Sequence, residues 1–158
     1  MTSAPPFAAI LPAPFGALGV RASAERLFAL AFLAPGTALS APTSPLLEQV
    51  AAQLDAYYAN PHHRFDLPIE ARGSDFRRRV WQALLDIPSG HSTTYGELAR
   101  RLGSSARAVG QALGDNPLPV VIPCHRVLAA HGLGGFNHAG AGYSLDVKCW
   151  LLRHEGAL

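Results

Sequence analysis

Two short stretches near the middle of the chain constrain its fold more than any other feature. Thr94 and Glu97 stand three positions apart just ahead of LARRL, residues 98–102, the spacing at which a threonine and a glutamate satisfy the free N–H groups of a helix start. A helix is therefore expected from Thr94 to about Gly103. Ser104 or Ser105 can cap a second one, ARAVGQAL (106–113), which Gly114 ends. Two short helices joined by a turn of about three residues have the dimensions of a helix-turn-helix. On the second helix the spacing assigns Ala106, Val109 and Leu113 to a core face and Arg107 and Gln111 to another, while Ala108 and Gly110 keep the surface low. A helix so bare suits either close approach to a grooved partner or tight packing on a neighbouring helix, and both stay open. Arg107 is a candidate for a phosphate or base contact.

Around this pair the chain reads as α+β. FAAILPAPFGALGV (7–20) and RLFALAFL (26–33) are apolar segments broken by Pro, Gly and a polar RASAE turn, the pattern of a small antiparallel sheet. LLEQVAAQLDAYYA (46–59) places Leu47, Val50, Leu54 and Tyr57 or Tyr58 at helical spacing. NPHHRFDLPIEARGS (60–74) reads as an extended connection, so a boundary is placed near residue 70, giving an N-terminal domain 1–70 and a C-terminal domain 71–158. Phe76, Val80, Trp81, Leu84 and Leu85 then form the apolar face of a helix stopped by IPSG (87–90).

At 158 residues and 49% hydrophobic, the chain can bury one ordinary core, or a core with a smaller partner domain. No apolar run approaches the roughly 18 residues of a membrane span, and MTSAPPF lacks the features of a signal peptide. A cytoplasmic or nucleoid location is expected. Charge is uneven: residues 1–70 carry three arginines against five acids, net −2, and residues 71–158 ten basic residues against six acids, net +4. That surplus suits a polyanion, and an ordinary solvated face would look alike.

Cys124 and Cys149 are expected to be free thiols in a reducing compartment. No CxxC occurs, and the adjacent His62 and His63 decorate a loop rather than converge on an ion, so no metal is expected. Cys124 lies in NPLPVVIPCHRV (116–127), beside His125 and after Pro123. A thiol of ordinary pKa is only about 3% thiolate at pH 7 and needs a base to act as a nucleophile. In a strand, neighbouring side chains point apart, so the backbone must turn here or a water must bridge. Pro123, ending the apolar VVI, points to a strand that stops and a turn that exposes the thiol. Glu155 is a candidate orienting partner for His125. Cys124 as a small buried hydrophobe beside a surface histidine is the other reading.

IPCHRV, preceded by RAVGQALGDNPLP and followed by KCWLLRHEG, closely resembles the active-site region of the O6-alkylguanine-DNA alkyltransferases, or methylated-DNA-protein-cysteine methyltransferases. The resemblance runs from FRRRVWQALLDIPSGHSTTYGELARRLG to the end, about residues 76–156, with a weaker likeness in the front half. It implies a small ribonuclease-H-like N-terminal domain and a mainly helical C-terminal domain with a helix-turn-helix. It also implies a repair protein that moves an alkyl group from O6 of guanine, and from O4 of thymine, irreversibly onto its own cysteine. Cys124 is then the acceptor, activated through a water by His125, which Glu155 orients. Asn116 braces the active-site turn, and Tyr95 helps rotate the nucleotide and gives a proton to the departing guanine. Arg107 fills the gap left by the extruded base, with Ser104, Ala108, Gly110 and Tyr95 at the DNA. Pro119, Val127, Gly135 and Ser144 are the implied pocket residues.

The partner implied is double-stranded DNA carrying O6-alkylguanine, met by a monomer that needs no cofactor. FNHAGAGYSLDVK (136–148) makes a longer path to Lys148 than the resemblance implies, so which of residues 137–144 walls the pocket does not carry over; Tyr143 and Ser144 are the candidates. Alkyltransferase-like proteins, which bind the lesion without transfer, are the alternative, and Cys124 argues against it. A thiol hydrolase or isomerase using the same Cys-His pair is the third class.

Overall fold

The computed structural model describes residues 7–134 and 143–158, the side chains of Tyr143 and Ser144 excepted. It separates into two compact units, Met1–Glu70 and Ala71–Leu158. The architecture is α+β, with an antiparallel sheet in the first unit and mainly helices in the second.

In the first unit β1 (Ala9–Ala13), β2 (Gly16–Ala22) and β3 (Leu27–Leu33) form an antiparallel sheet in that order. Pro14 and Phe15 make the turn of the first hairpin, and Gly16 leaves it at φ 137°. Pro12 has no N–H to donate, and lies in β1, at one side of this sheet, where that loss is tolerated. α1 (Pro45–Ala59) starts at Ser44, whose hydroxyl accepts from Leu47 N–H, with Pro45 at the first helical position. Its buried residues are Leu46, Leu47, Val50, Leu54 and Tyr57. The extended connection is tied to this helix: Gln53 donates to the Asp66 carbonyl and accepts from the Asp66 N–H, both at 2.8 Å.

The second unit opens with α2 (Asp75–Leu84), capped by Ser74. Val80, Trp81 and Leu84 are its buried face. Leu85, expected on that face, is instead 43% exposed, because the helix ends at Leu84 and Leu85 turns outward as its cap. β4 (Thr93–Thr94) leads directly into α3 (Tyr95–Leu102). The Thr94 hydroxyl accepts from Glu97 N–H at 3.1 Å. Gly103 at φ 64° ends α3, with Gly103 N–H bonded to Arg100 O and Ser104 N–H to Ala99 O, the pairing of a Schellman stop. Ser105, not Ser104, caps α4 (Ala106–Gly114).

α4 buries Val109, Ala112 and Leu113. Ala106 is exposed and Ala112 takes the place assigned to it, since the first turn of the helix faces solvent. α4 packs against α2 and α3, and Trp81 Nε1 donates to the Ala112 carbonyl at 2.8 Å in the interior. Residues 117–122 make turns rather than the strand expected for VVI. After them come a 3-10 turn, Cys124–Arg126, then β5 (Val127–Leu128) and α5 (Tyr143–His154). Sequence reading assigned no element to this last stretch, yet it carries the buried Val147, Lys148, Leu151 and Leu152. No helix among the described residues is long and apolar enough to cross a membrane.

Candidate active site

Asn116 organises the turn that carries Cys124. Its Oδ1 accepts from Leu118 N–H at 3.0 Å and its Nδ2 donates to the Ile122 carbonyl at 2.9 Å, so one buried amide grips both ends of the loop. Ile122 N–H closes on Leu118 O at 2.8 Å. Within this loop Val120 holds φ 76°, which costs a β-branched residue about 1–3 kcal/mol and persists only where surrounding bonds over-determine it. Pro123 follows at φ −80°, ψ 66°, and Cys124 N–H bonds back to Ile122 O at 2.8 Å. That is an inverse γ-turn, whose φ proline adopts without strain.

The chain reverses inward at this point. Cys124 is buried, at 6% exposure, where the sequence pointed to an exposed thiol; the γ-turn and the 3-10 turn fold Cys-His-Arg against α2 and α5. Burial pushes the thiol up to about 11, against the opposing pull of the Asn116 amide and the Lys148 ammonium. The resting group is a neutral thiol.

His125 is fully buried. Its Nε2 lies 2.9 Å from Glu155 Oε2, and a carboxylate there requires Nε2 to carry the hydrogen. Nδ1 is buried and has no partner among the described residues, so it is the ring atom with a lone pair to take a proton. Burial lowers the His125 pKa, Glu155 opposes that shift, and Arg126 and Lys148 add to it. Arg126 places Nε on Glu155 Oε1 and Nη2 on Oε2, each at 2.9 Å, and Nη1 on the Ile87 carbonyl at 2.6 Å.

A parallel pairing brings Tyr95 to the same place. Thr93 and Thr94 pair with Val127 and Leu128, so the first residue of α3 follows a strand aligned with the one that leaves the cysteine turn. A Cβ on Gly134 would lie 2.7 Å from Tyr95 Cε2 and 2.9 Å from its hydroxyl, so the phenol rests against a backbone where only glycine leaves room. Lys148, the chain's only lysine, is buried below: its Nζ donates to Val127 O at 2.8 Å and Leu133 O at 2.6 Å and sits 6.0 Å from the Tyr95 ring centroid. Burial lowers its pKa to about 8, with Cys124 pulling the other way. Val127 is buried here, and Pro119 is buried within the cysteine loop. Gly135 and residues 136–142 lie outside the described residues, as does the Ser144 side chain.

The structure thus brings Cys124, His125, Glu155, Asn116, Tyr95 and Val127 into one region of the second unit. Sequence reading missed Arg126 and Lys148 as members. Their signals were slight: an arginine directly after the Cys-His pair, and a single lysine in the whole chain.

The bare helix presents a different surface. Ser104, Ala106, Arg107 and Gln111 are exposed, and Ala108 and Gly110 are half-buried. Nothing lies within 4 Å of where a Cβ on Gly110 would sit. Its missing side chain therefore meets no neighbour among the described residues. No group of three or more His, Cys, Asp or Glu able to hold a metal occurs among the described residues.

The family model for the 6-O-methylguanine DNA methyltransferase DNA-binding domain matches residues 75–157. A methylated-DNA–protein-cysteine methyltransferase of Methanosarcina acetivorans is 34% identical over 94% of this chain and 97% of its own length. One from Mycolicibacterium paratuberculosis is 48% identical over 65% of this chain and 61% of its own. Among solved structures, Mycobacterium tuberculosis O6-methylguanine methyltransferase is similar with TM-score 0.79 at 35% identity, covering 94% of this chain and 91% of that one. The M. tuberculosis OGT complex with DNA gives TM-score 0.77 over the same shares.

Proposed function

Because the chain belongs to the 6-O-methylguanine DNA methyltransferase family, we propose that it is a single-turnover DNA repair protein that moves alkyl groups from O6 of guanine, and from O4 of thymine, onto Cys124. The observation that carries the reading is the buried relay: Glu155 holds Nε2 of His125 at 2.9 Å, which leaves Nδ1 as the base beside the cysteine.

An O6-alkyl carbon within stacked DNA cannot meet a protein sulfur in line, so the base leaves the helix at a cost of a few kcal/mol. Arg107 fills the vacated space from the exposed face of α4, and Ala108 and Gly110 allow that face to sit deep in the minor groove. Ser104 meets the backbone at the turn. The +4 surplus of residues 71–158 supplies phosphate attraction without base reading, as repair in any sequence context requires.

With the base seated, the thiol proton passes through a water to His125 Nδ1 as sulfur attacks the alkyl carbon. The S–C bond forms and the C–O bond breaks; its electron pair goes to the guanine, which takes a proton from the Tyr95 hydroxyl. The proton held on His125 then returns to the Tyr95 phenolate through solvent. Because the thiol rests near 11 rather than as a thiolate, removal of its proton is tied to the arrival of the substrate. The thioether is stable, so each molecule acts once.

Asn116 fixes the sulfur, and Pro119 and Val127 contribute to the pocket. The protein acts as a cytoplasmic monomer without a cofactor. The test is stoichiometry: with duplex DNA in excess, lesions removed should equal protein molecules added. Continued removal beyond one per chain, or none by folded protein, would defeat the reading.

A further inference from the structure

Glu155 sits at the C-terminal end of α5, buried, where the helix dipole disfavours a negative charge. A buried carboxylate facing an imidazole alone relieves that cost in one of two ways. It draws a proton onto the ring, or it becomes protonated and donates to Nε2. In the first case both ring nitrogens carry hydrogen; in the second the hydrogen moves to Nδ1. Either outcome abolishes a base at Nδ1.

The structure closes both routes with one side chain. Arg126 occupies both carboxylate oxygens side-on, at 2.9 Å each, and its third edge is fixed by the Ile87 carbonyl at 2.6 Å. Its charge balances Glu155 and opposes a second positive charge on the adjacent ring. The charged groups acting on the imidazole are Lys148 from α5, Glu155 just past its end, and Arg126 from its own turn. Arg126 is the only one of them joined to Glu155 by two bonds.

We infer that Arg126 is a positioning residue for alkyl transfer: it keeps His125 neutral with the hydrogen on Nε2, so that Nδ1 takes the Cys124 proton. This rests on Cys124 being the acceptor. A lysine cannot reproduce the fork, because an ammonium is a single point donor without the planar two-bond geometry.

The test uses full-length protein with ¹⁵N-labelled histidine, read by ring nitrogen chemical shifts from pH 5 to 8, alongside single-turnover methyl transfer over the same range. In the wild type, His125 should show a neutral ring protonated at Nε2 down to pH 6. In Arg126→Gln, the ring should become imidazolium or switch to Nδ1–H. An imidazolium moves the acid limb of the rate up by a pH unit or more, with roughly a tenfold loss below the limb for each unit, and an Nδ1–H ring lowers the rate across the whole pH range. Arg126→Lys should fall between the two.

A folded Arg126→Gln protein with the wild-type spectrum and limb overturns the inference. So does a wild-type ring that is imidazolium or Nδ1–H at pH 6, a result that needs no variant to fold. If the wild type shows the Nε2–H ring and Arg126→Gln loses it while neither transfers a methyl group, the proton lock stands and the transferase reading falls.

Discussion

Asn116 and Ile122 are joined across the cysteine loop by a 2.9 Å hydrogen bond from the Asn116 side chain to the Ile122 carbonyl, while the same amide accepts from Leu118. Two buried backbone groups depend on it. Asn116→Ala should cost about 2–4 kcal/mol in a denaturant titration, since each orphaned buried group costs about 1–3 kcal/mol. It should also slow transfer at temperatures where the variant is fully folded, because the loop that holds Val120 at φ 76° and carries the sulfur loses its side-chain brace. An unchanged rate would mean that the loop is braced elsewhere.

Gly134 and Tyr95 make a second tight relationship. An added Cβ would meet the Tyr95 ring at 2.7 Å, and Gly134 holds φ 73°. Gly134→Ala should therefore lower stability by about 1–3 kcal/mol and displace the phenol from the base. Transfer should slow more than in Tyr95→Phe, which removes the hydroxyl and leaves the ring. Equal rates in Gly134→Ala and wild type would show that the contact does not position Tyr95.

The helices were largely legible because their signals are local. Thr94, Glu97 and Gly103 mark the ends of α3, the apolar face from Phe76 to Leu84 marks α2, and the strands announced themselves by apolar runs between turns. The cysteine loop was not legible in the same way. VVI looks like a strand, and the Asn116 bonds, which reach two and six residues ahead, together with the Ile122–Leu118 backbone bond overrule that propensity. Burial of Cys124 was misjudged for the same reason: exposure depends on where α2 and α5 lie, and α5 carries no strong period in the sequence. The Arg126 and Lys148 contacts span 15–39 residues, beyond any local pattern. Glu155 was found through the resemblance and the triad logic together.

Protein free of DNA should resist thiol reagents at Cys124. With the thiol raised from 9.0 to about 11, its alkylation by iodoacetamide should still be climbing at pH 9.5, where an ordinary thiol would be past half-maximal. Folding stability should fall between pH 9 and 11, since the unfolded chain loses there a proton that the folded one keeps. Half-maximal reactivity near pH 7 would indicate a pre-formed thiolate and contradict the resting state described.

Arg107 is exposed, and Arg107→Ala should leave stability within about 0.5 kcal/mol of wild type. Transfer from duplex DNA should slow about 10- to 100-fold, equivalent to about 1.4–2.7 kcal/mol of the extrusion cost. Transfer from free O6-benzylguanine should be unchanged. Parallel losses on both substrates would place Arg107 in the chemistry rather than in the duplex.

The most direct measurement is mass spectrometry of the peptide containing Cys124 after full-length protein is mixed with duplex DNA carrying O6-methylguanine. One methyl group should appear on that peptide and on no other, and Cys124→Ser should gain none. An unmodified Cys124 peptide from well-folded protein, or a methyl group found on Cys149 instead, would contradict the account.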